Sequence, residues 1–139
     1  MNEKEPLLLY IDDKYRNKEN SLLHSPDSIF TRLGNKLGNK DLFMLALMTG
    51  FKENIRYEIK KRADFDLRTA YLNNNEKALI KVIAIKTTGD LNIISSPVKY
   101  YSIAEEYVNG GIEILYDSML GKNYDSYIKN LENELRQVP

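Results

Sequence analysis

Asn39-Lys40-Asp41-Leu42-Phe43-Met44-Leu45-Ala46-Leu47-Met48-Thr49-Gly50 is the stretch that decides the fold. Asn39 can cap a helix, and Asp41 suits the positive end of a helix dipole. Leu42 to Met48 is apolar without a break, and Gly50 is a stop signal. A helix apolar on every side belongs at the centre of a small bundle. This reading places Leu42, Phe43, Leu45, Ala46 and Met48 at the heart of the core.

Upstream, residues 1–6 read as a loose polar tail ending in Pro6, and Leu7 to Ile11 is a short apolar run. At that length a strand and the first turn of a buried helix look alike. Ser25-Pro26-Asp27 reads as a helix start, with Ile29, Phe30 and Leu33 as its apolar stripe. Gly34 and Gly38, each followed by Asn, punctuate the approach to the central helix.

Downstream, Ile55, Tyr57 and Ile59 alternate with Arg56, Glu58 and Lys60. That period of two fits a short strand or an extended connector. Asp64-Phe65-Asp66-Leu67 reads as the opening of a short helix running to about Leu72. Residues 76–88 combine an asparagine cap, an early glutamate and a terminal Gly89, which favours a helix over a hairpin into Leu91–Ile94. Ser96-Pro97 starts a long helix whose stripe is Val98, Tyr101, Val108, Ile112, Leu115 and Met119. Gly110-Gly111 either breaks this helix or lets a neighbour approach closely. Tyr124 to Gln137 reads as a last amphipathic helix carrying Tyr127, Ile128, Leu131 and Leu135. The expected fold is all-α or mainly α: one compact domain over residues 1–139, a bundle of about five to seven helices with room for one short β element.

Composition narrows the function. The 139 residues include no cysteine and one histidine. That excludes disulfides, thiolate zinc sites, iron–sulfur clusters, cysteine nucleophiles and multi-histidine metal centres. No apolar run approaches the roughly 20 residues that cross a bilayer. The start MNEKEP carries acids where a secretion signal needs positive charge. The expectation is a soluble cytoplasmic protein without a membrane partner. Templates for phosphate loops, serine hydrolases, zinc proteases and calcium loops are all missing, so no catalytic residue, metal ligand or cofactor is assigned. His24 has no nucleophile patterned beside it. Asp12-Asp13 is the best of the acidic pairs for a magnesium-type site, which leaves a small metal-dependent nuclease as one alternative.

The charges balance at 20 basic and 20 acidic but are unevenly placed. Residues 32–86 are cation-rich, and the flanking segments are acidic. The densest cluster is Lys52, Arg56, Lys60, Lys61 and Arg62, with Tyr57 among them. Such a ridge could contact DNA phosphates through counterion release, and Arg32, Lys36 and Lys40 could extend it. With no base-reading motif, contact would be to the backbone rather than to sequence. The ten tyrosines offer another alternative. Tyr100, Tyr101, Tyr107, Tyr116, Tyr124 and Tyr127 could line the core boundary, or could build a C-terminal surface for self-association or a protein partner.

Two stretches carry a family resemblance. Asn39 to Ala46 runs on through Gly50-Phe51-Lys52 into the basic segment. Ala104-Glu105-Glu106-Tyr107-Val108-Asn109-Gly110-Gly111-Ile112 closes a helix after the apolar block at 78–85. Together they resemble the small accessory proteins encoded beside DNA phosphorothioation (Dnd) systems, over about residues 26–120. The resemblance implies a role near DNA or near the enzymes that modify it, and it supplies no catalytic residues. The reading is a non-enzymatic accessory protein of a DNA-modification or defence system. It would contact the DNA backbone or a partner enzyme through Lys52, Arg56, Lys60, Lys61 and Arg62.

Overall fold

The computed structural model describes residues 3–25, 28, 38–120, 133, 135 and 136. Within them the chain forms strand β1 (Leu8–Asp12), helix α1 (Arg16–His24), helix α2 (Asn39–Glu53), strand β2 (Arg62–Arg68), helix α3 (Asn74–Thr88) and helix α4 (Pro97–Met119), joined by short 3-10 turns. The fold is thus mainly helical with one small antiparallel sheet, β1 against β2. The described residues hold four α-helices rather than five to seven. The expected helix at 25–33 lies outside the described residues except for Ser25, which ends α1, and Ser28; that at 124–137 is described only at Asn133, Leu135 and Arg136, which are helical; the candidates Arg32 and Lys36 lie outside the described residues.

The missing helix is the sheet's second strand. Residues 62–68 alternate exposed and buried, with Ala63, Phe65 and Leu67 facing the core. Asp64 and Asp66, helix-opening residue types, here sit in a strand, and the period-two segment at 55–60 just before it forms none. β2 holds two more residues than β1 between the pairs Leu8↔Arg68 and Tyr10↔Asp64. Asp66 absorbs them at φ 57°, its N–H donating to Asp64 Oδ1 at 2.8 Å. Asp and Asn tolerate this left-handed conformation better than other side chains.

The helices start and stop on local chemistry. Asp41 accepts the Gly38 N–H at 2.9 Å. Asn73 and Glu76 cap α3 reciprocally, each bond 2.8 Å, and Gly89 ends it at φ 71°. The residues read as a loose tail are pinned: Glu3 accepts the Val98 N–H at 2.8 Å at the start of α4, and Glu5 pairs with Lys77 at 3.1 Å. A carboxylate there also complements the helix dipole.

The centre is the crossing of α2 and α4, and it corrects two readings. Gly50 does not stop α2, which runs three residues further to an Asn54 cap at φ 55°. Gly110-Gly111 does not break α4. All three glycines exist for close approach. A Cβ on Gly111 would lie 2.5 Å from the Ala46 carbonyl carbon; on Gly50, 2.9 Å from that of Tyr107; on Gly110, 2.7 Å from that of Ile55. Around this seam Leu42, Phe43, Ala46 and Leu47 are buried, while Leu45 and Met48 are 39% and 43% exposed. The uniformly apolar run hid which side faces in. On α4 the buried face includes Tyr100, Ala104 and Tyr107, whereas Val98 is 53% exposed. Among the described residues no helix is long and apolar enough to cross a membrane.

Candidate functional site

The cation-rich segment is a strap over residues 54–61 that links α2 to β2 across one face of α4. It has no strand or helix of its own, yet its backbone is tied down. The Ile55 N–H donates to Gly50 O at 2.9 Å, and the Tyr57 N–H to Glu106 O at 3.0 Å. Asn109, fully buried, donates from Nδ2 to Tyr57 O at 2.8 Å and accepts the Asp12 N–H at 3.0 Å. One side chain thereby joins α4, β1 and the strap. Buried amides that satisfy both donor and acceptor hold a unique geometry.

Asp12 closes the far end. Its Oδ1 accepts the Lys60 and Lys61 N–H groups at 2.6 and 3.0 Å, and its Oδ2 accepts the Lys14 N–H at 3.1 Å. The N–H groups of Lys61 and Lys60 hold the Asp12 carboxyl below the usual aspartate range. This carboxylate is therefore a bracket for the strap, accepting from three backbone donors. Among the described residues no group of three or more metal-binding side chains comes together.

Carboxylates lie among the cations of the strap, and Lys60 and Arg62 line one cleft with three of them. Arg56 pairs with Glu106 at 3.7 Å and lies over the Tyr107 ring at 5.7 Å. Lys61 pairs with Asp13 at 3.7 Å. The Arg62 guanidinium sits 5.0 Å above the Tyr10 ring and is the positive neighbour of Glu105. Lys52 and Lys60 have exposed side chains and no ion pair among the described residues. Lys40, the possible extension, is spent on Glu76 at 3.4 Å.

Between strap and helix lies a cleft of about 280 Å³, lined by Glu58, Ile59, Lys60, Arg62, Ser102, Glu105 and Glu106. Glu105 accepts the Tyr10 N–H at 2.6 Å. Burial pushes its carboxyl up to about 7, against the pull of that N–H and of Arg62. Burial also raises Glu106, opposed by Arg56. The face is therefore a mosaic of both signs.

The cations are legible in the sequence as a candidate site; Asn109 is not among the candidates drawn from it. Its signal was available: an asparagine set between Val108 and Gly110-Gly111-Ile112 is a polar side chain and weak helix former at a core position. Of the tyrosines named for a C-terminal surface, Tyr100, Tyr101 and Tyr107 belong to the core, at 4%, 1% and 3% exposed, and Tyr116 is half-buried. Tyr124 and Tyr127 lie outside the described residues.

No curated protein and no solved structure matches the chain. A family model does match, over residues 34–137, which takes in α2, the strap, β2, α3 and α4. The chain belongs to the family described as DNA sulphur modification system-associated protein 4.

Proposed function

We propose that this protein is a non-enzymatic accessory factor of a DNA sulphur modification system, and that it docks on a protein of that system through the strap face at 52–62. The observation that carries the choice of a protein over the DNA backbone is the charge mosaic. Arg56 and Lys61 each have a carboxylate at 3.7 Å, and Glu58, Glu105 and Glu106 line the same cleft as Lys60 and Arg62. DNA backbone binding needs an uncompensated positive field that displaces condensed counterions. Interleaved charges instead give register and partner choice at a protein interface. A strap held by Asn109 and Asp12 also binds without first having to be ordered.

The test compares two measurements on wild type and on a K60E/K61E/R62E variant. One is retention on duplex DNA across a salt series. The other is co-purification with the system's co-expressed DNA-modifying enzymes. The reading expects weak DNA retention that hardly changes in the variant, and loss of co-purification. Tight DNA binding with a steep salt dependence, abolished by the substitutions, would replace it with direct backbone contact.

A further inference from the structure

The strap has a second edge. Its odd-numbered residues turn backbone groups toward α4: the Ile55 carbonyl lies against Gly110, the Tyr57 N–H donates to Glu106 O, and Tyr57 O takes the Asn109 amide, while the Ile55 N–H closes the end of α2 on Gly50 O. In an extended chain alternate residues direct backbone groups to opposite edges. Residues 55–59 form neither helix nor turn, and none of them has positive φ. Alternation sends the N–H and C=O of Arg56 and Glu58 to the edge away from α4, and none of them has a hydrogen-bond partner among the described residues. Both residues and Tyr57 between them are exposed. An open strand edge of this kind is a template for another strand.

We infer that a second copy of this chain pairs with this edge, antiparallel and about a two-fold axis at Tyr57. In that register Arg56 lies opposite the second copy's Glu58, and Glu58 opposite its Arg56. Both are hydrogen-bonded pairs, so four backbone bonds form between the copies. Each pair also sets opposite charges side by side, which favours it over like charges. Shifting the axis to Glu58 sets Glu58 against Glu58 and Arg56 against Lys60. It also asks for the Lys60 N–H, which Asp12 already holds at 2.6 Å. Shifting it to Arg56 sets Arg56 against itself. The self-complementary order of charges at 56 and 58 therefore selects one register and one occupant, and the contact is isologous, as closed dimers require.

The experiment is sedimentation and light scattering of the full chain over a concentration series, with four variants. E58P removes an N–H that has no intramolecular acceptor, so the monomer keeps its melting temperature while the dimer is lost. R56E and E58R each put like charges across the axis and weaken dimerisation by about tenfold or more, from two reversed cross-strand pairs. The double variant R56E/E58R restores opposite charges and returns the dimer to near wild-type strength. A wild type that stays monomeric at every concentration, a dimer indifferent to E58P, or a double variant no better than the singles overturns the proposal. It stands apart from docking on a modification enzyme, which is read by co-purification and does not depend on the association state of the free chain.

Discussion

Replacing Gly111 with alanine tests the fold at its tightest point. The added Cβ would lie 2.5 Å from the Ala46 carbonyl carbon, with the carbonyl oxygen nearer still. Ordinary contact begins at 3.4 Å, so α2 and α4 must part by about 0.9 Å for the carbon alone. The obstacle is backbone, which cannot rotate away as a side chain can. Parting the helices loosens Phe43, Ala46 and Leu47, all fully buried. Overpacking typically costs about 1–3 kcal/mol, and a rigid obstacle puts this site near the top of that range. Alanine returns up to about 1 kcal/mol through its better helix propensity. The expected net loss is about 2 kcal/mol, or roughly 8 °C in melting temperature for a chain of this size. Urea and thermal unfolding followed by circular dichroism measure both. Gly89→Ala is the contrast: nothing lies within 4 Å of its Cβ, but φ is 71°, so backbone strain alone costs it about 1 kcal/mol. A Gly111→Ala protein as stable as wild type, or more stable, would refute the close-packed seam.

Other expectations rest on buried polar groups. Asn109→Leu keeps the volume but strands the Asp12 N–H and the Tyr57 carbonyl; it should cost about 2–3 kcal/mol in urea titration and speed amide exchange at Asp12. Asp12→Asn weakens three charge-assisted bonds, which should cost about 1.5–3 kcal/mol at neutral pH. Because the folded Asp12 carboxyl is held below its usual value, its contribution is in place above about pH 4 and is lost as the pH falls through the lowered value. The variant should therefore show a flatter acid limb in melting temperature against pH. Glu19 has the opposite sign: burial raises it from 4.5 to about 7, so the folded state holds a proton the unfolded chain has released, and stability falls as the pH rises across that window. Glu19→Gln should then gain on wild type between pH 5 and pH 8 in thermal melts, and an unchanging gap would disprove the burial of its charge.

What the sequence revealed follows from how local each signal is. α3 was legible because Asn73, Glu76 and Gly89 form a cap and a stop within one turn of the helix they bound. The start of α4 was legible from Ser96-Pro97 in the same way. β2 was not, although Ala63, Phe65 and Leu67 alternate cleanly: the aspartates between them are good helix-opening residues too, and only pairing with β1, some fifty residues away, decides between the two. Leu45 and Met48 were misassigned because a run apolar at every position carries no phase. The cations of the strap could be named in advance, but the pairing of Arg56 and Lys61 could not, since Glu106 and Asp13 arrive from opposite ends of the chain.

Gly110 is where the fold and the proposed face meet. Its neighbour Gly111 receives α2, and Gly50 receives α4, but the space at Gly110 is filled by the Ile55 carbonyl at the root of the strap. An alanine at 111 pries helix from helix and is felt throughout the core. An alanine at 110 pushes instead on residue 55, two positions from the Tyr57 carbonyl that Asn109 holds and directly before the free edge at Arg56. The two substitutions add the same methyl to adjacent positions of one helix, yet they load different partners. If the strap is the surface through which this protein acts, Gly110→Ala must damage association or docking more than Gly111→Ala does at equal loss of stability. A pair of variants matched in unfolding free energy and matched also in binding would mean that the strap is only a connector.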